Sequence, residues 1–446
     1  MWLKLKNALA PKLPTLVLGL FVGRFVSEQL AFQYGSSLWV AVFVTLGCCI
    51  LAIVGLSRRS LRQTWPLLLL TGYVFYPDPN PLAAATAVLL VTAVLLQKIH
   101  APKQALKFGL FGSGLLFSIL YILTLAPGLL PADSGEFQLV GATLGVAHPP
   151  GFPLYTLLSK IMSWLPTAAT AAYKINLLSV LSSSATLLIL YLTVFRLTRR
   201  HLGAITAVIS LGTATTFWAQ ATTANIRSFT ALFAALAIFA LVRHWQEKAS
   251  TDRYLILFAA SLSFGFTHHL SLAFMGLIFV LFLFLIDPSF FKTPSRWKRP
   301  FLAALLGLIP LLYLPLRAGA DVPGAREGLN TVSGFLNHFL ALGFQGDFFY
   351  FVKPVVLWPR LQVMGNVLTF QFSPWLLAAA LLGWGWLLRH NWRMGLLLGG
   401  SFGLHTLVTA SYRAPQTVEY MLPAYLPVAI CIGLASGYLS DFGWKQ

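Results

Sequence analysis

The sequence is poor in charge, and poorest in acids. Lys, Arg, Asp and Glu make up 10% of its 446 residues, and only 12 are Asp or Glu; an average soluble protein carries roughly 25% charged residues. A single soluble core does not explain that deficit beside 57% apolar residues. Cysteine is scarce too: Cys48, Cys49 and Cys431 all lie inside apolar runs. Their placement excludes a disulfide framework, and with no CxxC or Cys/His ligand spacing it excludes a zinc module. No GxGxxG or GxxxxGK[ST] segment follows a strand pattern, so no soluble nucleotide pocket is expected. Internal repeats, low-complexity tracts and a soluble domain of useful size are likewise missing.

What is present is a basic, strongly apolar chain. The formal charge of +19 would suit a nucleic-acid partner if it formed a patch. It does not. The cations sit in short clusters between long apolar runs: Lys4 to Lys12, Arg58 to Arg62, Lys98 to Lys107, Arg196 to Arg200, Arg243 to Arg253, Lys292 to Arg299, Arg389 to Arg393, and Lys445. This is the positive-inside pattern of a polytopic membrane protein, so no nucleic-acid partner is expected. The first run lacks a small-x-small cleavage site and is read as a retained helix.

Spans of about 20 apolar residues predict helices near 14–33, 37–56, 65–77, 81–97, 108–127, 172–195, 202–219, 227–243, 254–267, 270–286, 301–316, 373–389, 394–411 and 422–440. The expected fold is an all-α polytopic bundle of about 14 transmembrane helices. With both termini cytoplasmic, alternation puts every basic cluster on the cytoplasmic side of an inner (plasma) membrane. Two long extracytoplasmic loops result, 127–173 and 317–373, with amphipathic stretches at Leu154 to Trp164 and Phe335 to Phe351. Loops of that length are uncommon unless functional.

Twelve carboxylates permit a census. Glu247, Asp252, Asp287 and Asp441 fall at cytoplasmic ends beside Lys and Arg. Arg24 and Glu28 are four apart on one helix face, either a functional intramembrane pair or a structural one. The other seven, Asp78, Asp133, Glu136, Asp321, Glu327, Asp347 and Glu419, map to the outer face, so any chemistry is expected there. Cations also gather there against the charge rule: His148, Arg227, His268, His269, Arg317, Arg326 and Arg413. Each needs an anionic partner, either one of those carboxylates or a phosphate at headgroup depth.

The first long loop reads Pro131-Ala-Asp133-Ser134-Gly135-Glu136-Phe137, then Ala147-His148-Pro149-Pro150-Gly151-Phe152-Pro153-Leu-Tyr155. A helix starting at or just before Ser134 would set both carboxylates near its N-terminus, as site residues or as an ordinary cap. Two carboxylates this close would raise one pKa above the usual value of about 4. Three prolines and Gly151 stiffen the segment that carries His148.

With Lys174-Ile-Asn-Leu-Leu-Ser179, these stretches closely resemble a family of polytopic membrane proteins long catalogued as a domain of unknown function. Its eukaryotic relatives include a transmembrane O-mannosyltransferase, and it is similar to the GT-C superfamily of glycosyltransferases. Tyr313-Leu-Pro-Leu-Arg-Ala318 and Glu419-Tyr-Met-Leu-Pro-Ala-Tyr425 look like further landmarks. The resemblance runs from about Phe108 to the end. It divides the chain into N-terminal helices of unassigned role (1–107) and a GT-C-like catalytic membrane domain (108–446). One departure stands out: after Trp218 the chain has Asn225-Ile226-Arg227 where relatives commonly show Glu-Val-Tyr.

The resemblance implies transfer of a sugar, mannose being one candidate, from a polyprenyl-phosphate carrier to an acceptor hydroxyl on protein, glycan or lipid. It implies Asp133 as general base and Glu136 as its support or an acceptor-positioning group. His148, Tyr155, His269, Arg317, Arg413 and Tyr420 are the implied substrate-binding residues, with Arg317 clamping the phosphate alongside Arg413 or His269. No cofactor or resident metal is expected, although Asp133, Glu136 and His148 would supply enough ligands for a divalent ion. The competing readings are a transporter or flippase of an anionic lipid-linked sugar, which calls for midplane ionisable groups and broken helices in matching halves, and a non-catalytic scaffold.

Overall fold

The computed structural model describes residues 12–97, 102–247, 252–413 and 417–442. Lys4, Lys6, Lys98 and Lys445 of the basic clusters lie outside the described residues, as does the side chain of Asp441. The described residues are helices, turns and loops, without a strand among them, as the periodicity predicts. Contacts divide the chain into two compact units, Met1–Phe111 and Gly112–Gln446.

In the first unit, helices Leu13–Tyr34 and Leu38–Gly55 pack backbone to backbone. A Cβ on Gly19 would lie 2.4 Å from the Cys49 Cα, and one on Gly23 would lie 2.5 Å from the Thr45 Cα. Small residues at such a spacing are what let apolar helices approach in lipid. The predicted 65–77 helix is broken into Leu61–Thr64, a 3₁₀ stretch Trp65–Leu70 and Thr71–Val74. Pro66 accounts for the break, having no N–H and crowding the preceding turn. Arg24 pairs with Glu28 at 2.6 Å and donates to the carbonyls of Tyr73 and Val74 at 2.8 and 2.9 Å, while the Tyr73 hydroxyl donates to Glu28. The Arg24–Glu28 pair is therefore a structural one that satisfies the end of the broken segment.

In the second unit, Ala171–Thr198 and Arg227–Gln246 are the central helices, 67% and 72% buried, against 28% for the peripheral Lys298–Leu316 segment. Among the described residues, seven helices are long and apolar enough to cross a membrane, or nine if each sharply bent pair is one span. That is fewer than the 14 expected from apolar runs. Several of those runs form helices of fewer than 18 residues, such as Leu272–Ile286 at 15 and Arg253–His268 at 16 residues. One bent pair joins Pro354–Gln371 to Pro374–His390 at 105°. Ser373 caps the new helix by accepting from the Leu376 N–H, and Pro374 disfavours helical geometry in the residue before it.

Pro354–Gln371 lies inside the predicted 317–373 loop; Pro354, Pro359 and Arg360 masked its apolar pattern. The first amphipathic stretch forms helix Pro153–Ser163; of the second, only residues 335–339 are α-helical, as the end of Val332–Phe339, and a 3₁₀ turn follows at Leu342–Asp347. Three cytoplasm-assigned acids pair with arginines: Glu247 with Arg243 at 2.7 Å and also with Arg253, Asp252 and Asp287 with Arg296 at 2.6 and 2.8 Å.

Candidate active site

The D-S-G-E string begins a helix, Ala132–Thr143, with Asp133 in its first turn. No side chain caps the start of that helix, so Asp133 is not there as a cap. Ala132 takes a left-handed φ of 54°, and a Cβ on Gly135 would meet the Leu130 carbonyl at 2.2 Å. The glycine therefore permits the tight entry that sets both carboxylates at the positive end of the helix dipole.

Glu136 turns to His148 and not to Asp133. One carboxylate oxygen accepts the His148 backbone N–H at 2.7 Å and the other meets His148 Nδ1 at 2.5 Å. Burial alone would raise the Glu136 carboxyl, but the bond and charge of His148 outweigh it and hold Glu136 below its ordinary range. The two-carboxylate argument thus has the wrong sign for Glu136. Burial would lower His148; its bond and charge contact with Glu136, together with Asp133, raise it instead.

A cavity of about 130 Å³ opens in front of these residues, lined by Asp133, His148, Arg227, His269 and Tyr420 on its polar side. Phe274, Phe344, Phe348 and Tyr412 form an aromatic wall. Arg227 is the charge centre. Its side chain is 7% exposed, and its guanidinium lies 2.9 Å from Glu419 and 3.9 Å from Asp133, with its Cζ 5.2 Å over the Tyr420 ring. Burial, with a contribution from Asp133, raises the Glu419 carboxyl despite Arg227.

Local chemistry explains how Arg227 arrives there. Asn225 Oδ1 accepts the N–H groups of Arg227 and Ser228 at 2.9 and 3.0 Å, and its amide donates to the Thr223 carbonyl at 2.7 Å. The side chain caps helix Arg227–Gln246 and aims its first residue. Buried His268 meets the Ile226 carbonyl at 2.8 Å through Nε2. The Asn-Ile-Arg stretch thus places an arginine at the cavity.

Of the residues inferred from sequence, Asp133, His148, His269 and Tyr420 line the cavity together, and Glu136 stands behind His148. His269 stacks on Phe152 at 6.2 Å and contacts Tyr420 at 5.4 Å. Three others lie elsewhere. Tyr155 is wholly buried among Phe137, Phe229 and His268, where it packs the floor. Arg317 donates to the Leu144 carbonyl at 3.0 Å and is not in the lining. Arg413 is held by Asp347 at 2.9 Å, over Tyr350, and is not in the lining either. Arg227 and Glu419, noted in the sequence as outer-face charges and within motif stretches but not as site residues, come together at this cavity. A cation that violates the charge rule was the signal for the first.

Asp133, Glu136 and His148 each offer one ligand atom, all within 4.8 Å of one another, the one such group among the described residues. Two oxygens and one nitrogen suit a hard divalent ion in kind. In this structure Glu136 and the imidazole are satisfied by each other.

Part of this geometry lies in a stretch that resembles known proteins. Residues 133–292 match the family described as the protein O-mannosyl-transferase TMEM260 N-terminal domain. The resemblance read from the motifs is thus with the transmembrane O-mannosyltransferases. The chain is 34% identical over 225 residues to protein O-mannosyl-transferase TMEM260 of Mus musculus, covering 49% of this chain and 32% of that protein. It is 26% identical over 242 residues to protein O-mannosyl-transferase tmem260 of Dictyostelium discoideum, covering 50% and 29%. It therefore spans about a third of the length of the TMEM260 relatives it matches. Among solved structures it shares its fold with ArnT from Cupriavidus metallidurans, seen bound to undecaprenyl phosphate (TM-score 0.53) and in the apo state (TM-score 0.51). Both are 15% identical; they cover 75% of this chain and 61% and 60% of that one. The all-helical membrane architecture expected from sequence is found, with a fold like that of ArnT.

Proposed function

We propose that this chain is a membrane glycosyltransferase that moves a sugar, mannose by likeness to its relatives, from a polyprenyl-phosphate carrier to an acceptor hydroxyl. We assign the reaction to the extracytoplasmic side of the inner (plasma) membrane, with both termini cytoplasmic, because the basic clusters suit that orientation. The observation that carries the reading is that a carboxylate, Asp133, and a buried guanidinium, Arg227, face one cavity across 3.9 Å.

The chemistry follows from what those two groups can do. The acceptor hydroxyl gives its proton to the Asp133 carboxylate as its oxygen bonds to the anomeric carbon. The bond from that carbon to the phosphate oxygen breaks, and the lipid phosphate leaves with the electron pair. Arg227 receives the charge that grows on it, as a planar fork matched to phosphate oxygens. This role, expected of Arg317 and Arg413, passes to Arg227 because those two are engaged elsewhere. Glu136 fixes His148 and favours its protonated form, and the ring faces the donor from the cavity wall. His269 and Tyr420 complete the polar side. A divalent cation, where supplied, would be held by Asp133, Glu136 and His148 and would add positive charge near the phosphate; the steps above use none.

The test is reconstitution in lipid discs with a polyprenyl-phosphate sugar and mass spectrometry of the acceptor. A transporter of the same lipid would move the donor across the bilayer and leave the acceptor unchanged. The cellular counterpart compares glycans and glycoproteins with and without the chain. An unchanged profile in expressing cells counts against the enzyme.

A further inference from the structure

The segment before His148 is held, residue by residue, from the chain beyond Tyr313. Arg317 Nε donates to the Leu144 carbonyl at 3.0 Å, and the Tyr313 hydroxyl donates to the Gly145 carbonyl at 2.7 Å. The Val146 N–H donates to the Pro323 carbonyl at 2.8 Å, and His338 Nε2 meets the Ala147 carbonyl at 3.1 Å. Four consecutive residues are engaged, three by side chains and one by backbone. Glycines make the approach close enough. A Cβ on Gly324, whose φ is +76°, would sit 1.9 Å from the Val146 carbonyl oxygen, and one on Gly145 would sit 2.6 Å from that of Pro323. Val146, Tyr313, Leu314, Leu329 and Phe339 close an apolar cluster around the same contact.

Such density of contact has a consequence for His148. Its ring is tethered at one end by Glu136, but its backbone direction is fixed by the residues that precede it and by the turn His148–Gly151, closed at 2.8 Å. None of Tyr313, Arg317 or His338 lines the cavity. We propose that Tyr313, Arg317 and His338 are positioning residues that act on the reaction only through the Leu144–Ala147 backbone, by aiming the His148 imidazole at Glu136 and the cavity. This rests on the glycosyltransferase reading above for the role of His148, but the cradle itself does not.

The experiment uses the full chain in lipid discs, with two readouts. In hydrogen exchange, Arg317→Ala and Tyr313→Phe each speed exchange in the peptide spanning Leu144 to Gly151 and leave helix Arg227–Gln246 unchanged. In transfer, each slows turnover several-fold in the native background and has no further effect once His148→Ala is present. Arg317→Lys, which keeps one donor for Leu144, restores most of the rate; a bidentate phosphate clamp would not be restored.

Losses that multiply with His148→Ala overturn the proposal, as do variants that exchange and turn over like the native chain. A silent His148→Ala beside an inactive Asp133→Asn overturns it as well and leaves the enzyme reading intact. A native chain without transfer overturns the enzyme reading, and unchanged exchange in Arg317→Ala would then overturn the cradle separately.

Discussion

Arg227 Nη1 lies 2.9 Å from Glu419 Oε2, so the guanidinium that faces the cavity already holds an anion on its far side. An arginine buried to 7% exposure with one carboxylate in contact and a second at 3.9 Å is built for negative charge.

Arg227→Met is expected to weaken binding of undecaprenyl phosphate at least about tenfold, roughly 1.4 kcal/mol or more, and Arg227→Lys to recover only part because the planar fork is lost. Titration calorimetry in detergent measures it. Equal affinity in Arg227→Met and the native chain removes Arg227 from the phosphate seat.

The Glu136–His148 pair predicts a pH window. His148 is raised above its ordinary 6.5, so its contribution is complete below 6.5 and lost as pH rises through the raised value. Glu136 is lowered below its ordinary 4.5, so its contribution is complete above 4.5 and lost as pH falls through the lowered value. Loop stability and donor turnover are therefore fullest between those two values. Glu136→Gln shifts the alkaline limb of kcat/KM to lower pH. A limb that stays in place in that variant would remove His148 as its source.

Much of this site was legible before any coordinates. Asp133, His148 and His269 stand out as an outer-end carboxylate and imidazoles in a chain with 12 acids, while their roles, and Tyr420 altogether, came from the motifs that resemble the family. Local spacing also set the helix start at the D-S-G-E string. What the sequence concealed was partner choice. Arg317 and Arg413 carry the same charge as Arg227, and only the fold reveals that a carbonyl takes one and Asp347 the other. Tyr155 had a motif position but no signal that its ring faces inward. Helix Pro354–Gln371 was hidden by its prolines.

Away from the site, Arg296 closes a network with Asp252 and with Asp287, whose side chain is 3% exposed and also meets His244 at 3.0 Å. Arg296→Met leaves that buried carboxylate without its main partner, a change that typically costs about 3–5 kcal/mol. The expected result is a lower Tm and yield with normal turnover per folded molecule. An unchanged Tm would mean that the pair adds nothing.

Gln138 and Asn176 form a second buried junction. The Gln138 amide donates to Asn176 at 2.8 Å, and Asn176 donates to the Ala126 carbonyl at 2.8 Å. Gln138→Leu strips partners from buried Asn176 and from the Leu130 N–H, at a cost of about 1–3 kcal/mol each. Thermal unfolding should fall accordingly, and Gln138→Glu should recover the Leu130 bond alone.

The central claim concerns one carboxylate and is tested most directly by Asp133→Asn in lipid discs, with transfer and lipid binding measured on the same preparation. Loss of a general base typically lowers the rate by about 10²–10⁴-fold. The account predicts that loss in transfer from a polyprenyl-phosphate sugar, with undecaprenyl phosphate bound as tightly as by the native chain. Transfer at the native rate by Asp133→Asn would contradict it.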